Sequence, residues 1–426
     1  MRDWKRNRVV KNAGWLVFGK LAQMVINLAV GLLTARYLGP SNYGVISYAA
    51  AYTGFFASFC TLGINSVIVK ELLDHQDEQG EILGTTLLMQ TVSSLLSAVA
   101  IMCIVYVADR GDPVVMTVVF LSGLGLIFQV FGVFHFWFQS RLQSKVSAMV
   151  SLIAYIITAV YKIILLVQGK TVVWFAFATA LDHICVAVML YYAYRRFGGD
   201  RLRISGKCAG SLLRKSCHFI LPGLMVAVYA QTDKIMLKQM IDAAENGYYA
   251  TAVSLCNTWC FVLSAIIDSL YPEIAKAHKT DTALYIRRNK QLYAIVFYIA
   301  AGVSVLISLL AEPIVLVMYG QDYLPTVGPL RIMTWYTAFS YLGVARNAWI
   351  VCENRQKYLV WVYLASAISN VLLNLLLIPA YGARGAAFAS LAAQVITTMV
   401  APCFISGLRE NSKMMIQAIL LRGLRP

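Results

Sequence analysis

A few ionisable and amide side chains interrupt the long apolar stretches of this chain, and their spacing indicates what chemistry they can do. Lys20, Gln23 and Asn27 recur at helical spacing within residues 13–35, an otherwise apolar run. A helix of this length crosses a hydrocarbon layer of about 30 Å. Its polar face either lines a water-filled cavity or bonds to neighbouring helices. We expect a cavity, because snorkelling explains one lysine but not two amides on the same face.

Residues 216–241 repeat this arrangement, with polar residues spaced by about one helical turn. Tyr229 and Asp233 lie in the second half of the run, and we expect both to face a polar cavity. Pro222 can kink the helix. The sequence leaves open whether that kink is a moving hinge or a static bend.

The deepest acidic residue is Asp182, near the middle of residues 171–194 and next to His183. A carboxyl group at this depth is costly to ionise. On a functional interpretation, Asp182 and Asp233 are candidates for binding H⁺ or Na⁺ and coupling its movement across the membrane to that of another solute. The alternative for Asp182 is a neutral or paired acid that bonds to a neighbouring helix, and the sequence does not decide between the two.

Further cations lie at or near the ends of apolar runs, where they can line a passage together with Lys20. An unpaired ion in hydrocarbon costs roughly several kcal/mol or more, so cations along a hydrated cleft would stabilise an anionic group on its way across. Side chains this close to the end of a run can instead snorkel to the membrane surface, as for Arg346 in particular. These cations are Arg36, Lys70, Lys234, Lys238 and Arg346.

Catalytic chemistry is poorly supported by the residue pattern. The five histidines are scattered, and the chain has no nucleophile motif, phosphate-binding loop or pair of loop carboxylates. The nine cysteines are odd in number and lie mostly in apolar runs, which argues against a disulfide framework. Cys256 and Cys260 lack the partners of a metal site. We therefore expect no catalytic residues, no metal and no organic cofactor.

Composition places these residues in a membrane. Apolar residues make up 59% of the chain and charged residues 13%, unlike an ordinary soluble domain. The basic N-terminal segment precedes an apolar run that is too long for a signal peptide. Hydropathy predicts an all-α polytopic membrane protein with twelve transmembrane helices. Their ranges are 13–35, 43–69, 82–107, 114–139, 146–167, 171–194, 216–241, 247–271, 291–311, 327–351, 357–378 and 383–408.

The net charge of +16 follows from membrane topology and not from nucleic-acid binding. If the N-terminus is cytoplasmic, most of the 36 Lys and Arg residues fall in cytoplasmic segments. This is the distribution that the positive-inside rule predicts. We therefore expect both termini to be cytoplasmic.

The twelve spans divide into two sets of six at a basic segment, and the two halves echo each other. Residues 42–49 have the same Gly and Ala spacing as residues 245–252, and a weaker echo relates residues 169–180 to 382–393. Chance similarity among Gly- and Ala-rich helices is the alternative. Halves with an even number of spans share one orientation, which implies two six-helix bundles related by a pseudo-twofold axis along the membrane normal. We predict an N-terminal lobe at 1–197, a cytoplasmic linker at 198–215, a C-terminal lobe at 216–408 and a basic cytoplasmic tail at 409–426.

Five segments carry a resemblance to a known family, and the resemblance extends over nearly the whole chain. They are LTARYLGPSNYGVISYA at 33–49, TDKIMLKQMIDAAENGYYATA at 232–252, LYPEIAKAH at 270–278, YGQDYLPTVGPLRIM at 319–333 and SNVLLNLLLIPAYGARGAAFASLAAQ at 369–394. They resemble the recurring segments of Wzx-type polysaccharide flippases, which belong to the multidrug/oligosaccharidyl-lipid/polysaccharide (MOP) exporter superfamily.

The resemblance implies a two-lobed flippase in the bacterial inner membrane. Such a protein moves an undecaprenyl-diphosphate-linked oligosaccharide, as in O-antigen synthesis, from the cytoplasmic to the periplasmic leaflet by alternating access. It implies ion coupling, a lipid-linked substrate, surrounding membrane lipids, and polysaccharide polymerase and chain-length proteins as partners. Relatives often read PDWFFQG followed by an acid, whereas this chain has Phe136-Trp137-Phe138-Gln139-Ser140-Arg141. No role of that acid can be transferred.

Two other functions remain open from the sequence. One is a cation-coupled exporter of another cargo, either a drug or a different lipid-linked precursor. The other is a membrane-bound polymerase or ligase of the same glycan pathway. The many cations favour an anionic cargo over cationic drugs, and the short outside loops are unlike those expected of a polymerase or ligase.

Overall fold

The structure, a computed structural model, describes residues 2–422, without the side chains of residues 2–18 and Lys20. Within this range the chain is almost entirely helical and has no β-strand, so the predicted all-α fold class is confirmed. The helices are α1 (Arg2–Cys60), α2 (Ile68–Asp74), α3 (Gln79–Ala108), α4 (Pro113–Gln129), α5 (Val133–Ser140), α6 (Ser144–Val167), α7 (Val172–Arg196), α8 (Gly206–Met240), α9 (Ala243–Trp259), α10 (Phe261–Thr280), α11 (Thr282–Met318), α12 (Val327–Cys352), α13 (Leu359–Val395), α14 (Ala401–Phe404) and α15 (Arg409–Ile419).

Nine helical stretches among the described residues are long and apolar enough to cross a membrane. Two of them, Leu21–Cys60 and Gln356–Phe404, each cover two predicted spans. A glycine with positive φ breaks each of these two: Gly39 (φ 71°) in α1 and Gly382 (φ 54°) in α13. With α12 included, these stretches account for the twelve predicted spans.

The break in α1 follows from its sequence. Gly39 adopts a backbone conformation that is strained for other residues, and Pro40 then occupies the first position of the next helical segment, where its missing N–H is not needed. Beyond the break, Gly44 packs against α9, and a methyl group there would collide with the Ala243 carbonyl. The amide of Asn246 donates to the Gly44 carbonyl at 2.8 Å. The glycines of the two echoed segments therefore mark a close helix contact.

The described chain separates into two compact units. The first unit comprises residues up to Leu38 and Val45–Ala227; the second comprises Gly39–Gly44 and residues from Val228 onward. The boundary lies inside α8 and not in the predicted linker at 198–215, whose residues from Gly206 onward are helical. The division into lobes that was predicted from the basic residues and glycines of this segment stays a prediction.

Residues 200–205, which we call the docked segment, lie against the start of α3 in the first unit. The Arg203 N–H donates to the Gly80 carbonyl and the Ser205 N–H to the Thr85 hydroxyl, both at 3.1 Å. Gly84 permits this approach, since a methyl group there would collide with the Arg203 carbonyl. The predicted linker is thus attached to the first unit.

Each unit has its own core. In the first, Trp137 is fully buried among α2, α3 and α7 and donates from its indole nitrogen to the Gln79 side chain at 3.0 Å. In the second, α15 packs Met414 and Met415 into the core formed by α10, α11 and α12. The C-terminal tail predicted to begin at 409 therefore contributes a helix to this core, up to Ile419.

Candidate functional site

The interior of the second unit holds a buried carboxylate. Asp233 in α8 is 3% exposed, and side chains from two other helices donate to it. The Oδ1 atom accepts from the amides of Asn370 (2.9 Å) and Asn374 (2.5 Å), and Oδ2 accepts from the hydroxyls of Tyr249 (2.5 Å) and Ser390. We call these five residues the Asp233 cluster.

The sequence builds the cluster through the break in α13. Asn370 and Asn374 are four residues apart, so both amides lie on one face of the helix before the break. Ser390 belongs to the helical segment after Gly382. Glu245 at the start of α9 stabilises this segment by accepting from the Ala383 N–H at 2.5 Å, which satisfies a donor that a helix start leaves free. The break therefore lets one helix approach Asp233 from two directions.

A cavity of about 230 Å³ adjoins the cluster in the second unit. Asp233, Lys234 and Tyr229 of α8 line it together with Asn257 of α9 and Tyr336 of α12. The Lys234 ammonium lies 3.5 Å from the Gln231 amide oxygen. The cavity thus places one cation beside one carboxylate, with neutral polar groups around them.

All four donors to Asp233 are neutral amide and hydroxyl groups. Amide and hydroxyl oxygens stand beside the carboxylate, and the Asn374 side-chain oxygen accepts no hydrogen bond from the described residues. Carboxylate, amide and hydroxyl oxygens are ligands that hard cations prefer. The cluster can therefore hold a proton or a monovalent cation.

A second cavity, of about 400 Å³, lies within the first unit. Its lining includes Gln23, Asp182, His183, His135 and Tyr155. The Asp182 carboxylate accepts from the Thr158 hydroxyl at 3.4 Å and lies 3.8 Å from the His183 ring nitrogen. Its contacts are fewer and longer than those of Asp233, and its side chain is 26% exposed.

The two cavities contain some of the residues predicted from the sequence. Gln23 and Asp182 line the cavity of the first unit, and Tyr229, Asp233 and Lys234 line that of the second. Pro222 lies within a continuous α8, so its role as a hinge stays a prediction.

The other predicted site residues whose side chains the structure describes do not line either cavity. Arg36, Lys70 and Asn27 are exposed and line neither cavity, and Lys238 is half-buried one turn beyond Lys234. Arg346 is 2% exposed inside the second unit, so it does not snorkel to a surface. The side chain of Lys20 lies outside the described residues.

Sequence reasoning missed the partners of Asp233. Asn370, Asn374, Tyr249 and Ser390 are neutral, and we gave weight to charged residues. A signal was present, because two asparagines at helical spacing within an apolar span are costly unless they have partners. Tyr249 and Ser390 carry no such signal, since hydroxyl groups are common in membrane helices.

Comparisons with known proteins agree on family and fold. A family model described as "Polysaccharide biosynthesis protein" matches residues 9–278, more than half of the chain. No curated protein sequence matches this chain.

Solved structures of three transporters are similar. The lipid II flippase MurJ in an inward closed conformation has a TM-score of 0.70 at 14% identity, covering 95% of this chain and 90% of that one. An inward-facing multidrug resistance MATE family transporter of the MOP superfamily scores 0.68 at 14% identity, covering 93% and 96%. A MOP superfamily transporter from Pyrococcus furiosus scores 0.53 at 12% identity, covering 96% and 94%. At these identities the similarity shows the fold, and the predicted MOP-type architecture is confirmed.

Proposed function

Because the chain belongs to the polysaccharide biosynthesis protein family, we propose that it is a flippase that carries a lipid-linked oligosaccharide across the membrane by alternating access. The observation that carries the proposal is the Asp233 cluster. Burying a carboxylate inside a membrane-spanning helical unit is energetically costly, even with four hydrogen-bond donors. A residue of this kind can bind the ion in ion-coupled transport. The similar structures are those of transporters and a flippase and not of enzymes.

The cargo proposed is an undecaprenyl-diphosphate-linked repeat unit, such as one of O-antigen type. Lys234 in the cavity beside Asp233 supports an anionic head group, because a cation there offsets the cost of bringing a diphosphate away from water. When Asp233 takes up a proton or Na⁺, its charge is neutralised and Lys234 is freer to bind an anion. Ion and cargo would then favour each other's binding.

The proposed location is the bacterial inner membrane with both termini in the cytoplasm. Movement is from the cytoplasmic to the periplasmic leaflet, where a polymerase and chain-length proteins would use the product. Asp233 is the principal coupling residue in this proposal, and Asp182 is a second one in the other cavity.

A cation-coupled exporter of another cargo is the second candidate function. The TM-scores of 0.68 to a multidrug transporter and 0.70 to a lipid II flippase do not separate the two. The family match favours the glycan pathway. The Asp233 cluster alone would suit either function.

A translocation assay tests the proposal in a flippase-deletion strain complemented with this chain. We expect Asp233→Asn and Lys234→Ala to abolish or strongly reduce surface glycan, with the lipid-linked precursor accumulating inside. Asp268→Asn and Lys279→Ala, both exposed positions of α10 in the same unit, are the matched controls. Parental glycan levels in both test variants at equal expression would refute the proposal.

A further inference from the structure

A groove of about 250 Å³ lies between α10 and α11 in the second unit, near the connection that joins these two helices. Its lining residues are Leu270, Glu273 and Ile274 of α10 and Arg288, Gln291, Ala294 and Ile295 of α11. On each helix they are spaced by three or four residues, so each helix turns one face toward the groove. Ile295 is 41% exposed, and the groove therefore opens at the protein surface.

The groove is polar at one end and apolar at the other. Glu273 and Arg288 lie just beyond the predicted spans 247–271 and 291–311, at the cytoplasmic ends in the predicted topology. Lipid head groups lie at this level of a membrane. Ile295 lies seven residues further along α11 than Arg288, which is about 10 Å deeper in the membrane by helix rise. This order of polar and apolar groups matches that of a phospholipid.

The polar end of the groove holds one cation and one acid. The Arg288 guanidinium lies 3.7 Å from the Glu273 carboxylate and donates to the Gln291 amide oxygen at 3.3 Å. The first distance is longer than that of a tight charge-assisted hydrogen bond, which is about 2.7–2.9 Å. The Arg288 and Glu273 side chains are 43% and 58% exposed, and an ion pair this exposed contributes little to stability. Both charges can therefore bind a ligand.

We propose that this groove binds phosphatidylethanolamine, a membrane phospholipid with a zwitterionic head group. The lipid phosphate accepts hydrogen bonds from the Arg288 guanidinium, whose planar fork fits a phosphate. The lipid ammonium donates to the Glu273 carboxylate. One acyl chain packs along Ile274 and Ile295. Basic pockets between membrane-spanning helices on the cytoplasmic side are known to bind lipid head groups, and this groove adds an acid to such a pocket.

The acid selects among the common phospholipids. Phosphatidylglycerol offers a phosphate to Arg288 but no cation to Glu273, so two negative charges are brought close together. Phosphatidylcholine does carry a cation, but its quaternary ammonium has no N–H group to donate. A primary ammonium has three N–H donors, as a lysine side chain does. An acid and a cation side by side therefore favour phosphatidylethanolamine over both.

Native mass spectrometry of the purified full chain tests this site. The protein in detergent is mixed with equal amounts of phosphatidylethanolamine, phosphatidylcholine and phosphatidylglycerol that carry the same acyl chains. We expect the parent to retain phosphatidylethanolamine about fivefold better than the other two, as exposed charged contacts allow. Glu273→Gln should remove this preference. Arg288→Gln should lower the retention of all three lipids, because all three have a phosphate.

Two neighbouring residues of α15 supply the matched controls. Arg409 and Glu410 are an exposed cation and an exposed acid in the same unit, and neither lines the groove. Arg409→Gln and Glu410→Gln should keep the parental lipid preference. Glu273→Lys places a second cation at the polar end, so it should invert the preference in favour of phosphatidylglycerol. Gel filtration of each variant checks that it is folded.

Several outcomes would overturn the lipid site. Equal retention of the three lipids by the parent is one, and an unchanged preference in Glu273→Gln or Glu273→Lys is another. A loss of preference in the α15 controls as large as that in Glu273→Gln is a third. The groove shares no lining residue with the cavity beside Asp233, so the lipid site does not depend on which cargo the protein carries.

Discussion

Asp233 shows how neutral residues can define an ion site inside a membrane protein. Its carboxylate receives two amide and two hydroxyl hydrogen bonds, none from a cation. If a cationic side chain formed an ion pair with Asp233, that pair would already neutralise the carboxylate, and binding of a proton or a metal cation would be less favourable. Neutral donors instead hold the carboxylate in place and leave its charge available.

Asn374 provides a test at the residue level. A bound cation that prefers the folded state raises the melting temperature, and we expect added Na⁺ to do so in the parent. Asn374→Leu removes a donor to Asp233 and an amide oxygen, so this increase should shrink or disappear, with a stability loss of about 1–3 kcal/mol.

The measurement is thermal melting of the purified protein over a series of Na⁺ concentrations at one pH and constant ionic strength. Asn27→Leu is the control, because Asn27 is an exposed amide in another predicted span. An unchanged ion-dependent increase in Asn374→Leu would show that the cluster is not where the ion binds.

At the scale of elements, glycines decide where the helices break and where they touch. Gly39 and Gly382 divide two long stretches into four spans, and Gly44 allows α1 and α9 to meet. The docked segment depends on the same property, since Gly80 and Gly84 leave room for its backbone on α3. Lys215 adds a salt bridge to the buried Glu71 at 2.8 Å.

Gly84→Ala should release the docked segment. The added methyl group would collide with the Arg203 carbonyl, and the helix backbone cannot yield. We expect trypsin to cleave after Arg201 and Arg203 several-fold faster than in the parent, roughly in proportion to the open fraction.

Gly210→Ala is the matched control for this experiment. Gly210 is also a helical glycine, in α8, and nothing lies within 4 Å of the position that a methyl group would take. It should be cut at the parental rate. Equal cleavage of both variants would mean that the docked segment is not held by the contact at Gly84.

At the scale of the whole molecule, two compact units each carry a polar cavity and an acidic residue. The two acidic residues differ in the hydrogen bonds that their carboxylates accept. Asp233 is enclosed by four donors, while Asp182 has one long hydrogen bond and a histidine neighbour. This difference supports Asp233 as the principal coupling residue.

The predicted topology can be tested by reporter fusions to the complete chain. The distribution of Lys and Arg predicts that both termini face the cytoplasm. A fluorescent protein at the C-terminus should therefore fluoresce, and alkaline phosphatase at that position should be inactive. Phosphatase inserted at the Gly169-Lys170 turn should be active. An active phosphatase at the C-terminus would refute the assignment.

Much of the architecture could be predicted from the sequence for a simple physical reason. A span must be largely apolar over its whole length to lie in hydrocarbon, so runs such as 13–35 can be recognised from the sequence alone. The breaks at Gly39-Pro40 and near Gly382 are visible for a similar reason, because only certain residues tolerate that backbone. The family resemblance rested on these same segments, and the family match agrees with it.

The tertiary structure decided which polar residues meet. Asp233 and Ser390 are far apart in the chain, and no local pattern could show that the break in α13 would bring them into contact. From its position near the end of a span, Arg346 was expected to reach the membrane surface. Helix packing buries it instead, because the burial of a side chain depends on the neighbouring helices and not on its distance from the end of a span. The sequence determined what can enter the membrane, since hydropathy is a property of each residue. Which side chains share a cavity is a property of packing, and only the folded chain determines it.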